Sequence, residues 1–456
     1  MCVLTLIFAK NKTMTFSDLN LNRFLLNALD DLGIKTPTPI QEKAFSVIMS
    51  SKDVIGIAQT GTGKTYAYLL PILRQITYSD QKFPRVLIVV PTRELVVQVV
   101  QEIKNLTPYI NIRYAGIYGG TNINNDKQLV FKGLDILVAT PGRLLDLALD
   151  GILKLKSIQK LVIDEVDEML NLGFRPQLTT LLDILPKKRQ NILFSATLTK
   201  EVDDLLDDFF KSPVKIEVGT SGSPLDTIEQ KAYPVPNFNT KINFLVSLLK
   251  EKETYKKVLV FVKNKNQANI LFSELEILLP KKAQVIHSNK TQNYRLRSIE
   301  NFEKNIFQVL IATDIVARGI DLSDVSHVIN MNIPKKPENY IHRIGRTGRA
   351  EQKGTSISFF TEDEADYLGE IELLMSREID VYDLPENIEI SEQLIDEEIP
   401  RDPQEINNDS RSSSSELGSG FHEKKDKNKK VNLGGSYRRE IAKKYKKPKT
   451  RAPKRK

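Results

Sequence analysis

A run of five apolar residues, Val54 to Ala58, opens directly into Gln59-Thr60-Gly61-Thr62-Gly63-Lys64-Thr65, and a helix-forming stretch follows. Strand, glycine-rich turn and helix in that order admit few folds, because the turn gathers backbone N–H groups at a helix start, the C-terminal edge of a parallel sheet. Such a turn wraps a triphosphate; Lys64 would place an ammonium on the outer phosphates and Thr65 a hydroxyl on Mg2+. Further runs rich in Val and Ile, each leading into a helical stretch, fall at Val86 to Val90, Ile136 to Ala139, Leu161 to Asp164 and Ile192 to Ser195. Near-continuous apolar strands joined by helices predict a parallel sheet covered on both faces.

After Gly219-Thr-Ser-Gly-Ser-Pro224, which reads as a linker, the alternation resumes at Val258 to Val262, Val285 to His287, Val309 to Ala312, Val325 to Ile329 and Thr355 to Phe360. A second sheet of the same class is expected. The reading is a doubled α/β body: an N-terminal extension at 1–13, domain one at 14–215, a linker at 216–227, domain two at 228–385 and a tail at 386–456.

Composition narrows the classes. The apolar run Val3 to Ala9 is far below the roughly 20 residues of a membrane span, so no membrane association is expected. Cys2 is the single cysteine, which excludes disulfides within the chain and cysteine-held metal, and fits a reducing cytoplasm. The net charge of +8 is uneven: His422 to Lys456 carries 16 Lys/Arg against 3 Asp/Glu, leaving the rest acidic. Such a tail cannot bury a core and is expected to be disordered; it reads as an arm for a polyanion, with simple solubilisation as the alternative. The acidic stretch Glu389 to Glu405 reads as a spacer before it.

Asp164-Glu165-Val166-Asp167 follows an apolar run at once, and paired carboxylates downstream of a Gly-Lys-Thr loop are what a Mg2+ site for a nucleotide needs. One acid can hold the metal through water while the other orients attacking water. Asp363-Glu364-Ala365-Asp366 is a decoy for that motif, because Thr361 and Glu364 match a capping box that opens a helix. Ser195-Ala196-Thr197 follows another strand of domain one, where hydroxyls also suit a helix cap. Far downstream, His342-Arg-Ile-Gly-Arg346-Thr-Gly-Arg349 supplies guanidiniums without a phosphate loop, the pattern of a second domain that brings arginines onto a nucleotide held by the first.

These blocks in this order closely resemble the DEAD-box RNA helicases, from about Phe16 to about Phe360. The resemblance implies two tandem RecA-like parallel-sheet domains, an ATP- and Mg2+-dependent enzyme and an RNA substrate. Within Gly33 to Gln41 it implies that Gln41 reads adenine, with Phe16 stacking on the ring; Ala58 to Thr65 hold phosphates and Asp321 the ribose. Catalysis falls to Lys64, Asp164 (metal through water, with Thr65), Glu165 (water positioning), Arg346 and Arg349; coupling falls to Asp167, Ser195, Thr197 and His342. RNA backbone contacts are implied for Pro91, Thr92, Arg93, Gly120, Thr140, Pro141, Gly142 and Arg143 in domain one. In domain two they are implied for Gln292, Arg295, Thr313, Arg318 and Gly319, with Arg343 structural.

The chain departs from the family pattern at Val166, usually alanine, and at His287-Ser288-Asn289, usually His-Gly-Asp. The lean body with a lysine-rich tail looks most like the bacterial RhlE-like branch. The expected function is ATP-driven local unwinding of short RNA duplexes and ribonucleoprotein remodelling by a cytoplasmic monomer. An RNA clamp or annealing factor and a DNA-directed motor are the alternatives, and ribosome-assembly and RNA-decay proteins are both open as partners.

Overall fold

The computed structural model describes residues 14–58, 61–210, 212–218, 228–314, 322, 325–348 and 354–399. Gln59, Thr60, Arg318, Gly319, Asp321, Arg349 and the basic tail lie outside the described residues. The first half runs through a 3₁₀ turn at Phe16–Leu19, α1 (Arg23–Asp31), α2 (Pro39–Met49), β1 (Val54–Ala58), α3 (Lys64–Gln75), β2 (Val86–Val89), α4 (Arg93–Leu106), β3 (Tyr114–Ile117) and α5 (Ile123–Lys132). It continues with β4 (Ile136–Ala139), α6 (Pro141–Leu149), β5 (Lys160–Ile163), α7 (Val166–Asn171), α8 (Arg175–Ile184), β6 (Gln190–Ser195), α9 (Lys200–Phe209) and β7 (Val214–Val218).

The second half holds β8 (Ile228–Pro234), α10 (Phe238–Lys250), β9 (Val258–Val262), α11 (Lys265–Leu278), β10 (Ala283–Ile286), α12 (Gln292–Glu303) and β11 (Val309–Thr313). After it come β12 (His327–Asn330), α13 (Pro337–Ile344), β13 (Gly354–Phe360), a 3₁₀ turn at Glu362–Glu364, α14 (Ala365–Met375) and β14 (Asp380–Val381). Two parallel seven-stranded sheets result, ordered β3-β4-β2-β5-β6-β1-β7 and β10-β11-β9-β12-β13-β8-β14.

Both faces of each sheet are buried, which is why the strands are apolar end to end. On β2, Val86 and Ile88 enter one apolar layer with Tyr68, Ile72 and Val99, while Leu87 and Val89 enter the other with Leu144, Ile163 and Met169. In the second sheet Val258, Val260 and Val262 face Phe244 and Leu271, and Leu259 and Phe261 face Phe302 and Leu322. Val166 is fully buried in the Leu144 layer, so its two extra methyl groups are packed and contribute about 0.8 kcal/mol each.

The structure corrects two boundaries. Val214–Val218 was divided between domain one and the linker, but it pairs with β1 along its whole length, Val54 opposite Val214 through Ala58 opposite Val218. Lys215 and Glu217 alternate with the apolar residues, as on an edge strand, and so broke the run that marked the other strands. Residues 386–395 were placed in a disordered tail, yet Ile388 and Ile395 are buried against the second sheet's outer layer. Side-chain amides of Asn237, Asn239 and Asn243 on or beside α10 donate to the carbonyls of Ser391, Gln393 and Glu389. Backbone recognition of this kind leaves no mark on the hydropathy of the strapped segment. The decoy at 363–366 is a helix start as expected: Glu364 accepts from the Thr361 N–H at 3.1 Å and pairs with the buried Lys241.

Candidate functional site

The chemistry-bearing residues lie at the carboxyl ends of the strands, where open parallel sheets bind ligands. In the first sheet β1, β5 and β6 carry the phosphate loop, the acids and the hydroxyls, while the neighbouring β2 and β4 lead into Thr92-Arg93 and Thr140 to Arg143.

Gly61 and Gly63 adopt φ of +82° and +85°, the left-handed region glycine favours, and Gly63 starts α3. A Cβ at Gly63 would stand 2.4 Å from Gln41 Nε2, so side-chain-free backbone is required there. Gln41 Nε2 donates to the Gly63 carbonyl at 3.1 Å and Thr38 Oγ1 to the Thr62 carbonyl at 2.8 Å, while Gln41 Oε1 accepts from the Thr38 N–H at 3.0 Å. The base-reading segment is therefore bolted to the phosphate loop, leaving Gln41 one N–H and one lone pair for a base edge. Phe16, expected to stack on the base, is 3% exposed within an apolar layer. Leu19 and Leu21 beside it anchor the segment inward.

Lys64 reaches from the first turn of α3 into a ring of acids. Its Nζ is buried and makes no hydrogen bond with the protein, an orphaned ammonium of the kind a phosphate would satisfy. Asp164 closes β5 and Glu165 caps α7 in the left-handed conformation, φ +53° and ψ +50°, a strained setting for a side chain that aims a carboxylate. Burial raises both acids above their ordinary values, and the Lys64 charge opposes it in both. Thr65 and Asp164 offer a hydroxyl and a carboxylate, a donor set that fits hydrated Mg2+, which keeps several waters and takes few protein ligands.

Asp167 is the hub between motifs. Its Oδ2 accepts from the Thr197 N–H and Oγ1 at 3.0 and 2.9 Å and from the Ala196 N–H at 3.2 Å, while the Ser195 hydroxyl donates to the Thr197 carbonyl at 2.7 Å. From the second half of the chain, His342 on α13 sets Nε2 3.7 Å from Asp167 and Nδ1 3.6 Å from Glu168. Burial alone would lower the imidazole, but the two carboxylates outweigh it and hold it up at about 9. Burial likewise works against Asp167, and its His342, Lys64 and Thr197 neighbours hold it well below the usual carboxylate range. Arg346 is 4% exposed, donates from Nε to the His342 carbonyl at 3.3 Å, and its charge acts on Glu165. Arg343 is fixed by Asp314, Asn330 and the Asn332 carbonyl under the Phe261 ring, which makes it the structural post expected.

The residues expected on RNA divide into two groups. Thr92 caps α4 through the Leu95 N–H, Thr140 and Pro141 start α6, and Gly142 has open space around it; the two helix N-termini stand at adjacent strand tips. Thr313 ends β11. Three others have protein partners where direct RNA contacts were expected. Arg143 is held by Asp126 at 2.6 Å and the Thr121 carbonyl at 2.8 Å with a side chain 10% exposed, so it braces the turn beside Gly120. Arg295 and Gln292 reach across to Glu94 at 3.1 and 3.2 Å, joining the two sheets. Arg93 lies so close over Gly120, φ +85°, that a Cβ there would stand 2.3 Å from its guanidinium.

Sequence reasoning left Glu94, Glu168 and Thr38 without roles. Glu94 directly follows Arg93 and Glu168 directly follows the acidic motif, but their partners lie more than 150 residues away, which no local spacing shows. Thr38, three residues before Gln41, was legible as a capping box.

Known proteins match this arrangement. The DEAD/DEAH box helicase family model matches residues 38–205, and the helicase conserved C-terminal domain model matches residues 240–351. The chain is 39% identical over 373 residues to ATP-dependent RNA helicase RhlB of Pseudomonas syringae pv. tomato, covering 80% of this chain and 93% of that protein. S. cerevisiae Dbp5 bound to RNA and ADP BeF3 superposes with a TM-score of 0.75 at 29% identity, over 82% of this chain and 96% of that one. Mss116p bound to ssRNA and AMP-PNP gives 0.76 at 28% identity, over 88% and 86%.

Proposed function

This chain belongs to the DEAD-box family and is an ATP-dependent RNA helicase of bacterial type, and on that premise we propose how its own residues perform the cycle. Lys64 takes the outer phosphates, Thr65 and Asp164 hold Mg2+ through its waters, and Glu165 orients the attacking water. When bound, Mg2+ offsets charge on the phosphate oxygens. His342 and Arg346 arrive from the second sheet, so hydrolysis requires closure; Arg349 and Asp321 complete the set from outside the described residues. Gln41 reads the adenine edge. Single-stranded RNA lies along the α4 and α6 N-termini, and closing the domains on it drives local unwinding and ribonucleoprotein remodelling. The division at 14–218 and 228–395, action as a monomer and a cytoplasmic location belong to the same reading.

The observation that carries it is the buried, unpartnered ammonium of Lys64 among Asp164, Glu165 and Asp167, faced by His342 and Arg346. Steady-state ATP turnover with RNA, with DNA and with neither is the test. Stimulation by RNA alone is expected; equal rates in all three would remove the coupling, and RNA binding without turnover would make the protein a clamp.

The His342 pair gives closure a pH dependence. An imidazole held at about 9 on closing, against an ordinary 6.5, contributes fully below 6.5 and is lost as pH rises through about 9. RNA affinity measured with a non-hydrolysable ATP analogue is expected to fall between those limits, by up to about tenfold per pH unit. His342→Gln should be weak throughout and flat over that window; a wild-type profile in the variant would detach His342 from closure.

The lysine-rich segment His422 to Lys456 is proposed to hold RNA near the body by neutralising phosphates. Removing it should weaken RNA binding and flatten the salt dependence, since fewer counterions are released, while saturated turnover stays within about twofold. An unchanged salt slope would leave the segment a solubilising one.

A further inference from the structure

One buried ion pair in the first half touches neither the phosphate loop nor the second sheet: Asp126 on α5 with Arg143 on α6. Their side chains are 7% and 10% exposed, and Arg143 Nη1 donates to Asp126 Oδ2 at 2.6 Å. The second arm of the same guanidinium, Nη2, donates to the Thr121 carbonyl at 2.8 Å, and the Thr121 hydroxyl donates to the Tyr118 carbonyl at 2.9 Å. One arginine thus ties α5, α6 and the turn at 118–121 together.

That turn gains little support from the sheet. It leaves β3, an edge strand bonded to β4 alone, and it carries Gly120 at φ +85°, where a side chain would collide with the Arg93 guanidinium. A buried ion pair is a weak source of stability, because desolvation offsets much of the attraction, but a guanidinium fork fixes the position of what it holds. With its charge met by a carboxylate and two nitrogens engaged, Arg143 has little left for a phosphate.

We propose that Asp126 is a positioning residue for the RNA site: acting through Arg143, it holds the turn at 119–121 in place beside α6, and the pair itself meets no phosphate. The inference rests on the reading that single-stranded RNA lies along the α4 and α6 N-termini.

The test uses the full chain with Asp126→Asn and with the double variant Asp126→Asn/Arg143→Gln, which removes one charge of each sign and leaves the net charge as it was. Binding of a fluorescein-labelled oligouridine is titrated at several salt concentrations with a non-hydrolysable ATP analogue, and binding of a fluorescent ADP is measured without RNA. Both variants should bind RNA about tenfold more weakly, the double no worse than the single, with ADP binding unchanged. The double should keep the wild-type salt slope, because a bracing arginine releases no counterion; a slope shallower by about 0.7 would mean that Arg143 meets a phosphate itself and would overturn the proposal. So would RNA binding that is unchanged or tighter in Asp126→Asn, or a loss of ADP binding in step with RNA, the mark of a merely structural pair. Gly142→Glu, which sets a carboxylate in the open space at the α6 N-terminus, tests the RNA path. If it too leaves RNA affinity unchanged, that path is wrong; if it alone weakens binding, the role of Asp126 fails.

Discussion

Glu165→Gln is expected to lower RNA-stimulated ATP turnover by about 10²–10⁴-fold while ATP and RNA still bind. The substitution keeps the side chain's length and shape and removes only the carboxylate charge that can accept from water. Glutamine inherits the same left-handed backbone at φ +53°, so strain is not altered and the Tm should not move. Because binding survives and hydrolysis does not, the variant should accumulate with its domains closed on RNA and release it slowly. Single-turnover hydrolysis and RNA dissociation rates check both halves, and hydrolysis at the normal rate would remove Glu165 from the water-positioning role.

Arg346→Ala is expected to cut turnover at saturating ATP and RNA by about 10³-fold or more, the scale at which an arginine delivered from a second domain acts in phosphoryl transfer. Arg346 lies two residues past the end of α13, is almost fully buried, and bears electrostatically on Glu165 from the other sheet. Its contribution therefore appears only when the sheets meet, so kcat should fall with little change in ATP binding to the first domain. Lysine should not restore the rate, since a point charge does not reproduce the planar fork. Turnover within about threefold of wild type would contradict a catalytic role, and the chemistry would then rest with the first domain.

The strands that were legible were those buried on both faces. Val54–Ala58, Ile136–Ala139 and Val258–Val262 carry their burial in composition, and their limits are those the apolar runs indicate. Both edge strands of the first sheet were missed as runs: Tyr114–Ile117 is half covered and β7 alternates with charge, so neither produces an apolar run. At the site, the phosphate loop and the acids were readable because their chemistry needs adjacent residues. The partners of Arg143, Gln292 and Arg295 were not readable, because a motif names a residue type and not its partner, and Asp126 and Glu94 are brought to them by the fold. The burial of Phe16 was not readable for a related reason, since an aromatic that packs inward and one that stacks on a base look alike in sequence.

The central claim is that two separate sheets complete one hydrolytic site when ATP and RNA are both present. Leu149 on α6 and Ile277 on α11 are 70% and 72% exposed, one in each half, and suit a fluorophore pair once Cys2 is replaced by serine. Single-molecule energy transfer should show one close state with RNA and a non-hydrolysable ATP analogue together, and separated or exchanging states with either alone. A distance distribution that is the same under all three conditions would contradict the account.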